Sequence, residues 1–544
     1  MSTLTDAARR IASTRPALLL AGACAVQVAI GAAVALASTH NGFVWYSGGD
    51  DTEYWTDGWV LAHHALTQTH IGPGIPLLYA WLSWFVGPNL VSALPVITLL
   101  QLVIFVPLAA LLVWAIADLL FGRAFAWWAL AFWIVAPLLL MAGFQASYAT
   151  EFRDDFLAPH WYGLTEMADM PSLVAILATT WAMLRMAQRR TVEDAVLAGA
   201  LMGALVLIKP ANGFFAPAAL VLLLVTRNIR TVGVWCLSLV PGLAALTVWK
   251  AKGLGSVPLL ALAYARESLG AGTPVAVDTN RYVHLDWPHF TSEMHDLAGS
   301  FWSLRVLEFI LLAGLLAALR RAPWKGAFLG LWCVAFVIVK GSNTLASVSA
   351  LSYYRFVEPG LPAVALLAAS IVLLIPRRGR AFAAPASAGA LPGGLWTAGA
   401  AVAVLGLLPL VFFVATPPAK SPRDVWDVFR ANNAPISGKL DATVETGGGA
   451  VRINWQPYRT SAAAVYYVVL RAASPETCTV PGEGGSECDL AMKTVGYTRS
   501  TTFVDHPPAG PHWYRIGMMA NYTNTLDGSD LMLIGKLSAA ASAH

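Results

Sequence analysis

Charge is the property that this sequence has least of. Only 12% of its 544 residues are Asp, Glu, Lys or Arg, while 57% are hydrophobic. About 25% of the residues in a soluble globular chain are charged. The net charge is only +4, and the basic residues form no cluster of the kind that binds nucleic acid. The composition therefore predicts a multi-spanning membrane protein with no nucleic-acid partner.

Cysteine is also scarce, and several common motifs are missing. Cys24, Cys236 and Cys333 lie in apolar runs and are interpreted as small core residues. Cys478 and Cys488 flank a Gly-rich loop in the polar tail, where they can pair if that tail is oxidised. The sequence contains no P-loop, HExxH zinc motif or GxSxG nucleophile elbow. We therefore do not expect phosphate binding by a P-loop, HExxH-type zinc chemistry or a GxSxG serine nucleophile.

Apolar runs long enough for a bilayer recur along the first 416 residues, since one crossing takes about 20 residues. We predict about eleven membrane helices, near residues 16–38, 92–120, 124–143, 169–187, 195–208, 213–226, 231–249, 303–319, 326–340, 356–376 and 394–415. The first run is long for a signal-peptide core, so we expect it to be retained as a span.

Basic residues occur in alternate connections between these runs. The connections concerned contain Arg9, Arg10 and Arg15; Arg123; Arg185, Arg189 and Arg190; Arg227 and Arg230; Arg320, Arg321 and Lys325; and Arg377, Arg378 and Arg380. The positive-inside rule places all of them in the cytoplasm. We therefore expect a multi-pass protein of the inner or plasma membrane with a cytoplasmic N-terminus. The long loops and everything after Thr416 then lie outside, where any chemistry would take place.

The composition changes after residue 416. A Pro-rich linker leads into alternating segments such as "AVRINWQP" and "AVYYVVLRA", with turn residues between them. This pattern predicts a C-terminal extracytoplasmic β-sandwich, and its strands resemble a fibronectin type III module. We expect a transmembrane domain at 1–416 with a large first outer loop at 39–91, a linker at 417–440 and the sandwich at 441–544.

The first outer loop contains acids without basic neighbours. Asp50, Asp51, Glu53 and Asp57 lie within a stretch from residue 40 to 91 that has no Lys or Arg. Adjacent carboxylates repel each other, which favours neutralisation by a proton, a ligand or a metal. A carboxylate placed at the membrane edge can take a proton from a hydroxyl nucleophile. The alternative is an ordinary solvated loop. The flanking segments "TDGWVLAHHALTQ" and "PLLYAWLSWFVG" are typical of helices in the membrane interface.

Further candidate residues lie at the outer ends of later spans. Asp154, Asp155 and His160 are candidate ligands of a divalent metal, although their spacing is generic. Asp169 precedes Met-Pro at the start of a span and is expected to be an N-cap, whether or not it also serves function.

Two cations complete the candidate set. Lys209 ends one span and Arg355 opens another, and both suit a lipid-linked phosphate at that depth. The alternative for Lys209 is snorkelling to the interface.

Five fragments, in order between residues 45 and 370, resemble one family. They are "GDDTEYWTDGWVL", "PLLYAWLSWFVG", "TEMADMPSLVAILATTWAML", "LAGALMGALVLIKPANGFFAPAALVLLL" and "SYYRFVEPGLPAVALLAA". Together they are similar to the GT-C superfamily of membrane glycosyltransferases, in the branch of the protein O-mannosyltransferases and lipid A aminoarabinose transferases.

The resemblance implies a GT-C-like helical bundle that takes sugar from a polyprenyl-phosphate donor by an inverting displacement. It assigns the catalytic acid to Asp50 or Asp51 and the donor phosphate to Lys209 and Arg355. The supporting or acceptor-site candidates are Glu53, Tyr54, Asp154, Asp155, His160 and Asp169. The implied acceptor is a glycan, a lipid or a protein, and a divalent metal is a candidate cofactor. The sequence departs from the branch at "HIGPGIP", where a Lys often precedes the Pro-Leu-Tyr-Trp segment.

Two alternatives remain at this point. A transporter or flippase of a lipid-linked substrate would carry ionisable residues near the membrane midplane, whereas these spans are nearly free of charge. An adhesion or receptor scaffold would use the C-terminal module, but it leaves the acidic first loop without a role.

Overall fold

A computed structural model of the chain describes residues 16–37, 50–66, 71–86, 90–143, 161–164, 168–254, 286–297, 306–343, 346, 352–375, 388–417, 438–459, 466–473, 492–520, 532–533 and 538–543. Helices make up the described part as far as residue 415, and strands follow from residue 441.

Seventeen α-helices, some of them continued by short π- or 3₁₀-helices, lie among the described residues. They are α1 Pro16–Ala37, α2 Asp50–Ala62, α3 Gly74–Val86, α4 Leu90–Leu100, α5 Val106–Phe121, α6 Arg123–Gly143, α7 Asp169–Arg189, α8 Val192–Ile208, α9 Ala216–Thr226, α10 Ile229–Leu254, α11 Trp287–Asp296, α12 Val306–Arg321, α13 Pro323–Cys333, α14 Ser352–Val357, α15 Leu361–Ala369, α16 Leu395–Val402 and α17 Leu408–Ala415. The π-helices are Gln101–Phe105, Val334–Lys340 and Ala403–Leu407; the 3₁₀-helices are Pro210–Phe215, Glu358–Gly360 and Ser370–Leu374.

The predicted class of multi-pass helical protein is confirmed. Within the described ranges, seven helical stretches are long and apolar enough to cross a membrane: Pro16–Leu36, Pro95–Phe121, Asp169–Arg189, Ile229–Lys252, Pro323–Lys340, Tyr353–Leu374 and Leu395–Ala415. Helices also occupy the other four predicted stretches, as α6, α8, α9 and α12. The crossing of the membrane by these four helices stays a prediction.

Small residues allow two of the central helices to approach closely. Gly199 and Gly203 lie one turn apart on α8 and both face α10, Gly199 at Trp235 and Ser238 and Gly203 at Gly242. A Cβ on Gly242 would lie 2.7 Å from the Cα of Gly203. This spacing of small residues is a common means of packing membrane helices. It fixes α8, whose C-terminal end leads into the candidate site.

The opposite end of α8 is held by a buried ion pair. The carboxylate of Asp194 accepts from Arg185 Nε at 3.0 Å and from Arg189 Nη1 at 3.2 Å. Thr191 caps the helix by accepting from the backbone N–H of Asp194. Arg185 also donates to the carbonyl of Gly389 at 2.9 Å, which joins a connection distant in sequence.

Hydrogen bonds from Lys252 of α10 fix the end of the last membrane helix. Lys252 Nζ donates to the carbonyls of Phe413, Val414 and Thr416 at 2.9, 2.6 and 3.0 Å. The N–H of Leu66, in the first loop, donates to the carbonyl of Pro417 at 3.0 Å. The residues just before the predicted linker are therefore bound to the end of α10, and its first residue is bound to the first loop.

The C-terminal strands form the predicted β-sandwich. The strands are β1 Asp441–Gly447, β2 Ala450–Gln456, β3 Tyr466–Ala472, β4 Met492–Thr498, β5 Thr502–Asp505, β6 His512–Ala520, β7 Met532–Leu533 and β8 Ala541–Ala543. One sheet has the order β1-β2-β5 and the other β4-β3-β6, with β7 and β8 both paired to β6. All pairs are antiparallel, and the resemblance to fibronectin type III stays a prediction.

Alternate residues of the two sheets share one core. Ile453 and Trp455 of β2 pack with Val469 of β3 and Ile516 of β6. At its edge, Asp505 accepts from Arg471 at 2.6 Å and from the hydroxyl of Tyr514 at 2.7 Å. Burial and this hydrogen bond raise the pKa of Tyr514 above its ordinary value. Cys478 and Cys488 lie outside the described residues, so their pairing stays a prediction.

Candidate functional site

Asp169 is the first residue of α7 and the centre of the candidate site. The N-cap position is occupied by Ala168, so the expected N-cap role of Asp169 is wrong. Its carboxylate instead accepts hydrogen bonds from two cations. One oxygen accepts from Lys209 Nζ, and the other accepts from Arg355 Nε at 3.2 Å. The Asp169 side chain is 1% exposed, whereas those of Lys209 and Arg355 are partly exposed, so the three residues form an ionic group around a buried carboxylate.

Lys209 stands where α8 gives way to a 3₁₀-helix. Its backbone is extended, with φ −144° and ψ 106°, and Pro210 follows it. Asn212 fixes this turn because its Nδ2 donates to Ser172 Oγ at 2.6 Å and to the carbonyl of Leu205 at 3.0 Å. The turn is thus bound to the first helical turn after Asp169. The Lys209 ammonium thus binds the carboxylate of Asp169.

Arg355 and a second buried acid come from one short segment. Arg355 lies on the six-residue helix α14, and Glu358 begins the 3₁₀-turn that follows. Glu358 is fully buried. Its carboxyl group interacts electrostatically with Asp169, Lys209 and Arg355.

Lys340 adds a third cation. It ends the π-helix Val334–Lys340 and is 3% exposed. Its Nζ lies 4.4 Å from the ring centroid of Phe356 and 5.6 Å from that of Phe214. Its charge interacts with that of Lys209. We call the five ionisable residues Asp169, Lys209, Lys340, Arg355 and Glu358 the Asp169 cluster.

The Asp169 cluster is suited to an anion. Counted over the described residues alone, it has three cations and two carboxylates, and all five lie at or near helix ends. Charged groups removed from water need close partners of opposite sign. Lys and Arg side chains bind phosphate through charge-assisted hydrogen bonds. A phosphate group is therefore a chemically fitting ligand.

The first loop packs against the Lys209 turn. A Cβ on Gly72 would lie 2.6 Å from the carbonyl oxygens of residues 207 and 208, and one on Gly74 would lie 2.7 Å from the Cα of Ile208. Glycine is required for this approach of the two backbones. It gives the "HIGPGIP" stretch, which lacks the expected cation, a structural role.

The helices of the first loop share a core with the start of α7. Tyr54 of α2 and Tyr79 of α3 are buried in one cluster with Ala168, the neighbour of Asp169. The backbone of Asp50, Asp51 and Glu53 lies in α2, and their side chains are outside the described part. Asp57, one to two turns further along the helix, is 4% exposed. The helix that carries the predicted catalytic acids is thus anchored beside Asp169.

The predicted metal ligands stay a prediction. Asp154, Asp155 and His160 lie outside the described residues. Within the described ranges, no group of three or more His, Cys, Asp and Glu side chains is placed to hold a metal.

Helix α11, in the predicted loop 250–302, packs near the Arg355 segment. His289 has a ring nitrogen 2.7 Å from the carbonyl of Ala346, and the hydroxyl of Tyr353 contacts the sulfur of Met294 at 4.0 Å. Tyr353 is two residues from Arg355. Helix α11 is thus attached to the element that carries Arg355.

Lys340 and Glu358 were not predicted from the sequence. Each had a signal, since Lys340 is the lone charge in the predicted span 326–340 and Glu358 is the acid of the predicted span 356–376. Both were passed over because hydropathy reports a span and not the direction in which one polar side chain points.

Comparisons with known proteins give distant structural neighbours and one family segment. The oligosaccharyltransferase of Archaeoglobus fulgidus in its apo form is 16% identical, with a TM-score of 0.36, and covers 76% of this chain and 58% of its own. The same organism's oligosaccharyltransferase AglB, in complex with an inhibitory peptide and a dolichol-phosphate, is 16% identical with a TM-score of 0.39, covering 77% and 59%.

The chain thus spans less than two thirds of the length of these structures. No curated protein matches the sequence. Residues 155–249, which contain Asp169 and Lys209, match the family model described as dolichyl-phosphate-mannose-protein mannosyltransferase.

Proposed function

We propose that this chain is a GT-C-type membrane glycosyltransferase. It moves a sugar from a polyprenyl-phosphate donor to the hydroxyl of an extracytoplasmic glycan, lipid or protein. The observation that carries the proposal is the buried Asp169 cluster, two members of which lie in the segment matching a mannosyltransferase family.

In this proposal Lys209 and Arg355 bind the donor phosphate. An ammonium has three donors and a guanidinium has five, so each has more donors than Asp169 takes. Asp169 orients both side chains, which prevents them from having to reorganise when the lipid enters. As the sugar leaves, charge grows on the phosphate oxygens, and preoriented cations stabilise that charge best in a site that excludes water.

The first-loop acid, Asp50 or Asp51, accepts the proton of the acceptor hydroxyl. The acceptor oxygen attacks the anomeric carbon as the bond from that carbon to the phosphate oxygen breaks. The products are the glycosylated acceptor, polyprenyl phosphate and the protonated carboxyl group. One direct displacement inverts the configuration at the anomeric carbon. Helix α2 supports this role because its core contacts lie beside Ala168.

The position of the charges favours transfer over transport. Transporters bind substrate near the midplane, at broken helices in repeated halves. Asp169 begins a helix, Lys209 follows the end of one, and Lys340 ends another. A cluster at the helix ends suits a lipid headgroup that stays at the membrane surface.

The test is transfer by the purified full-length protein. It is incubated with radiolabelled polyprenyl-phosphate mannose, glucose, galactose and arabinose, each with and without EDTA, and the products are counted in lipid, glycan and protein fractions. We expect one donor to be used. One of Asp50→Asn and Asp51→Asn should lose at least about 100-fold in kcat, because general bases contribute roughly 10²–10⁴-fold.

Glu445→Gln, on the exposed face of β1, is the control and should keep wild-type activity. Absence of both transfer and donor hydrolysis with every sugar, in folded protein, contradicts the proposal. Movement of labelled lipid across vesicles without any product would instead support the flippase alternative.

A further inference from the structure

Lys340 occupies a position that the proposed function leaves without a role. Its ammonium is almost fully buried and lies against the Phe356 and Phe214 rings, with Phe356 the nearer. A cation over an aromatic face is held by the negative face of the ring, more strongly where water is excluded. The ammonium is therefore kept in one place.

The two rings come from the segments that carry the predicted phosphate cations. Phe356 directly follows Arg355, and Phe214 lies five residues after Lys209, in the 3₁₀-helix of the same turn. Lys340 is thus the point at which these two segments meet. The π-helix that ends at Lys340 has a wider turn than an α-helix, a feature often found at functional sites.

Lys340 and Lys209 repel each other, because their charges interact in a buried region. Like charges brought together in this way favour an anion between or beside them. Asp169 supplies a negative charge to the described part of the cluster, and the buried carboxyl group of Glu358 lies within electrostatic reach of Asp169, Lys209 and Arg355. The three cations of the described part outnumber its two carboxyl groups, and a phosphate diester adds negative charge where positive charge is in excess.

We propose that Lys340 is a third cation of the donor-phosphate site, held in position by Phe356 and Phe214. This inference rests on the proposed function, since the phosphate in question is that of the lipid-linked sugar. It assigns to Lys340 the binding of the phosphate group, in the ground state as well as during transfer. Its loss should therefore appear mainly in the affinity for the lipid phosphate and less in kcat.

Lys325 provides a matched control. Its ammonium is also buried and lies near two rings, 5.4 Å from Phe121 and 5.3 Å from Trp324. It donates to the carbonyl of Leu120, away from the Asp169 cluster. Replacing either lysine with Met removes a buried ammonium, so both variants show the structural effect of that loss. Only Lys340→Met should also change phosphate binding.

The experiment measures binding of polyprenyl monophosphate to full-length protein by native mass spectrometry, together with the KM for the active donor sugar. Lys340→Met should weaken binding and raise KM at least about tenfold, as expected for loss of a charged hydrogen-bond partner. Lys340→Arg should recover most of the affinity. Lys325→Met should bind as the wild type does. If Lys340→Met does not fold, Phe356→Leu is used, with an expected loss of roughly threefold.

The possible outcomes separate the two proposals. If the wild type transfers sugar and folded Lys340→Met keeps the wild-type affinity and KM, the inference is overturned and the transferase proposal stands. The same holds for Phe356→Leu where it replaces Lys340→Met. Equal losses in Lys340→Met and Lys325→Met also overturn it, because the effect is then structural. Wild-type protein that neither binds polyprenyl phosphate nor transfers sugar overturns both.

Discussion

Asp169→Asn is the most informative single change in this protein. The substitution keeps the volume of the side chain and removes its charge. Lys209 and Arg355 then face a neutral amide in a site where the carboxylate was 1% exposed. Removing one partner of a buried ion pair costs about 3–5 kcal/mol. The amide oxygen still accepts a hydrogen bond, so we expect about 3 kcal/mol, the lower end of that range.

The double variant Asp169→Asn/Lys209→Met tests the physical cause. It removes one charge of each sign and restores the original balance within the cluster. If buried charge imbalance is the source of the loss, the double variant is more stable than the sum of the two single changes predicts. The coupling should be about 1–3 kcal/mol, within the range found for residues in one ionic network.

The assay is thermal unfolding in detergent, followed by the fluorescence of the 21 tryptophans. Wild type, both single variants and the double variant are compared in one buffer at low and high salt. Buried pairs are screened little by salt, so the order of stabilities should not change. Strict additivity, or an Asp169→Asn variant as stable as the wild type, refutes the reasoning.

Three further changes have defined expectations. Gly72→Ala places a Cβ 2.6 Å from two carbonyl oxygens and should lower transfer roughly 10- to 100-fold by displacing the first loop, whereas Gly22→Ala, with open space around it, should have wild-type activity. Arg185→Met leaves the fully buried carboxylate of Asp194 without this partner and should destabilise the protein by about 3 kcal/mol. Arg123→Met breaks the ion pair with Asp118, in which the arginine is 41% exposed, and should cost less than about 1 kcal/mol in the same thermal assay. Tyr514 has a raised pKa, so the stability it contributes is present below the ordinary tyrosine pKa of about 10 and falls as pH rises beyond it. Tyr514→Phe should show a smaller increase in proteolysis of the C-terminal strands between pH 8 and 11, and an identical increase in both proteins would contradict this account.

Hydropathy and charge were sufficient to predict the helical domain. Helices lie at every predicted span, because a run of apolar residues in a bilayer must satisfy its backbone internally. The change to alternating segments after residue 416 likewise predicted strands. Both patterns are local properties of the chain, and they need no knowledge of distant contacts.

The arrangement of the site depends on contacts that the sequence does not encode locally. Lys209 and Arg355 were predicted to lie at the same membrane face, and the structure joins them through Asp169. The Asp-x-Pro pattern at residue 169 is typical of a helix start, and it predicted an N-cap because local propensity cannot detect cations that arrive from 40 and 186 residues away. Lys340 was missed for the same reason.

The hydrogen bonds of Lys252 fix the segment that leads from the last membrane helix towards the C-terminal sandwich. Lys252 donates to carbonyls of the residues just before the predicted linker, and the N–H of Leu66 donates to the carbonyl of Pro417, the first residue of that linker. The start of the predicted linker is therefore attached to the first loop, whose helices share a core with Ala168 beside the Asp169 cluster. A movement of this loop therefore displaces Pro417 with it or breaks the hydrogen bond between Leu66 and Pro417.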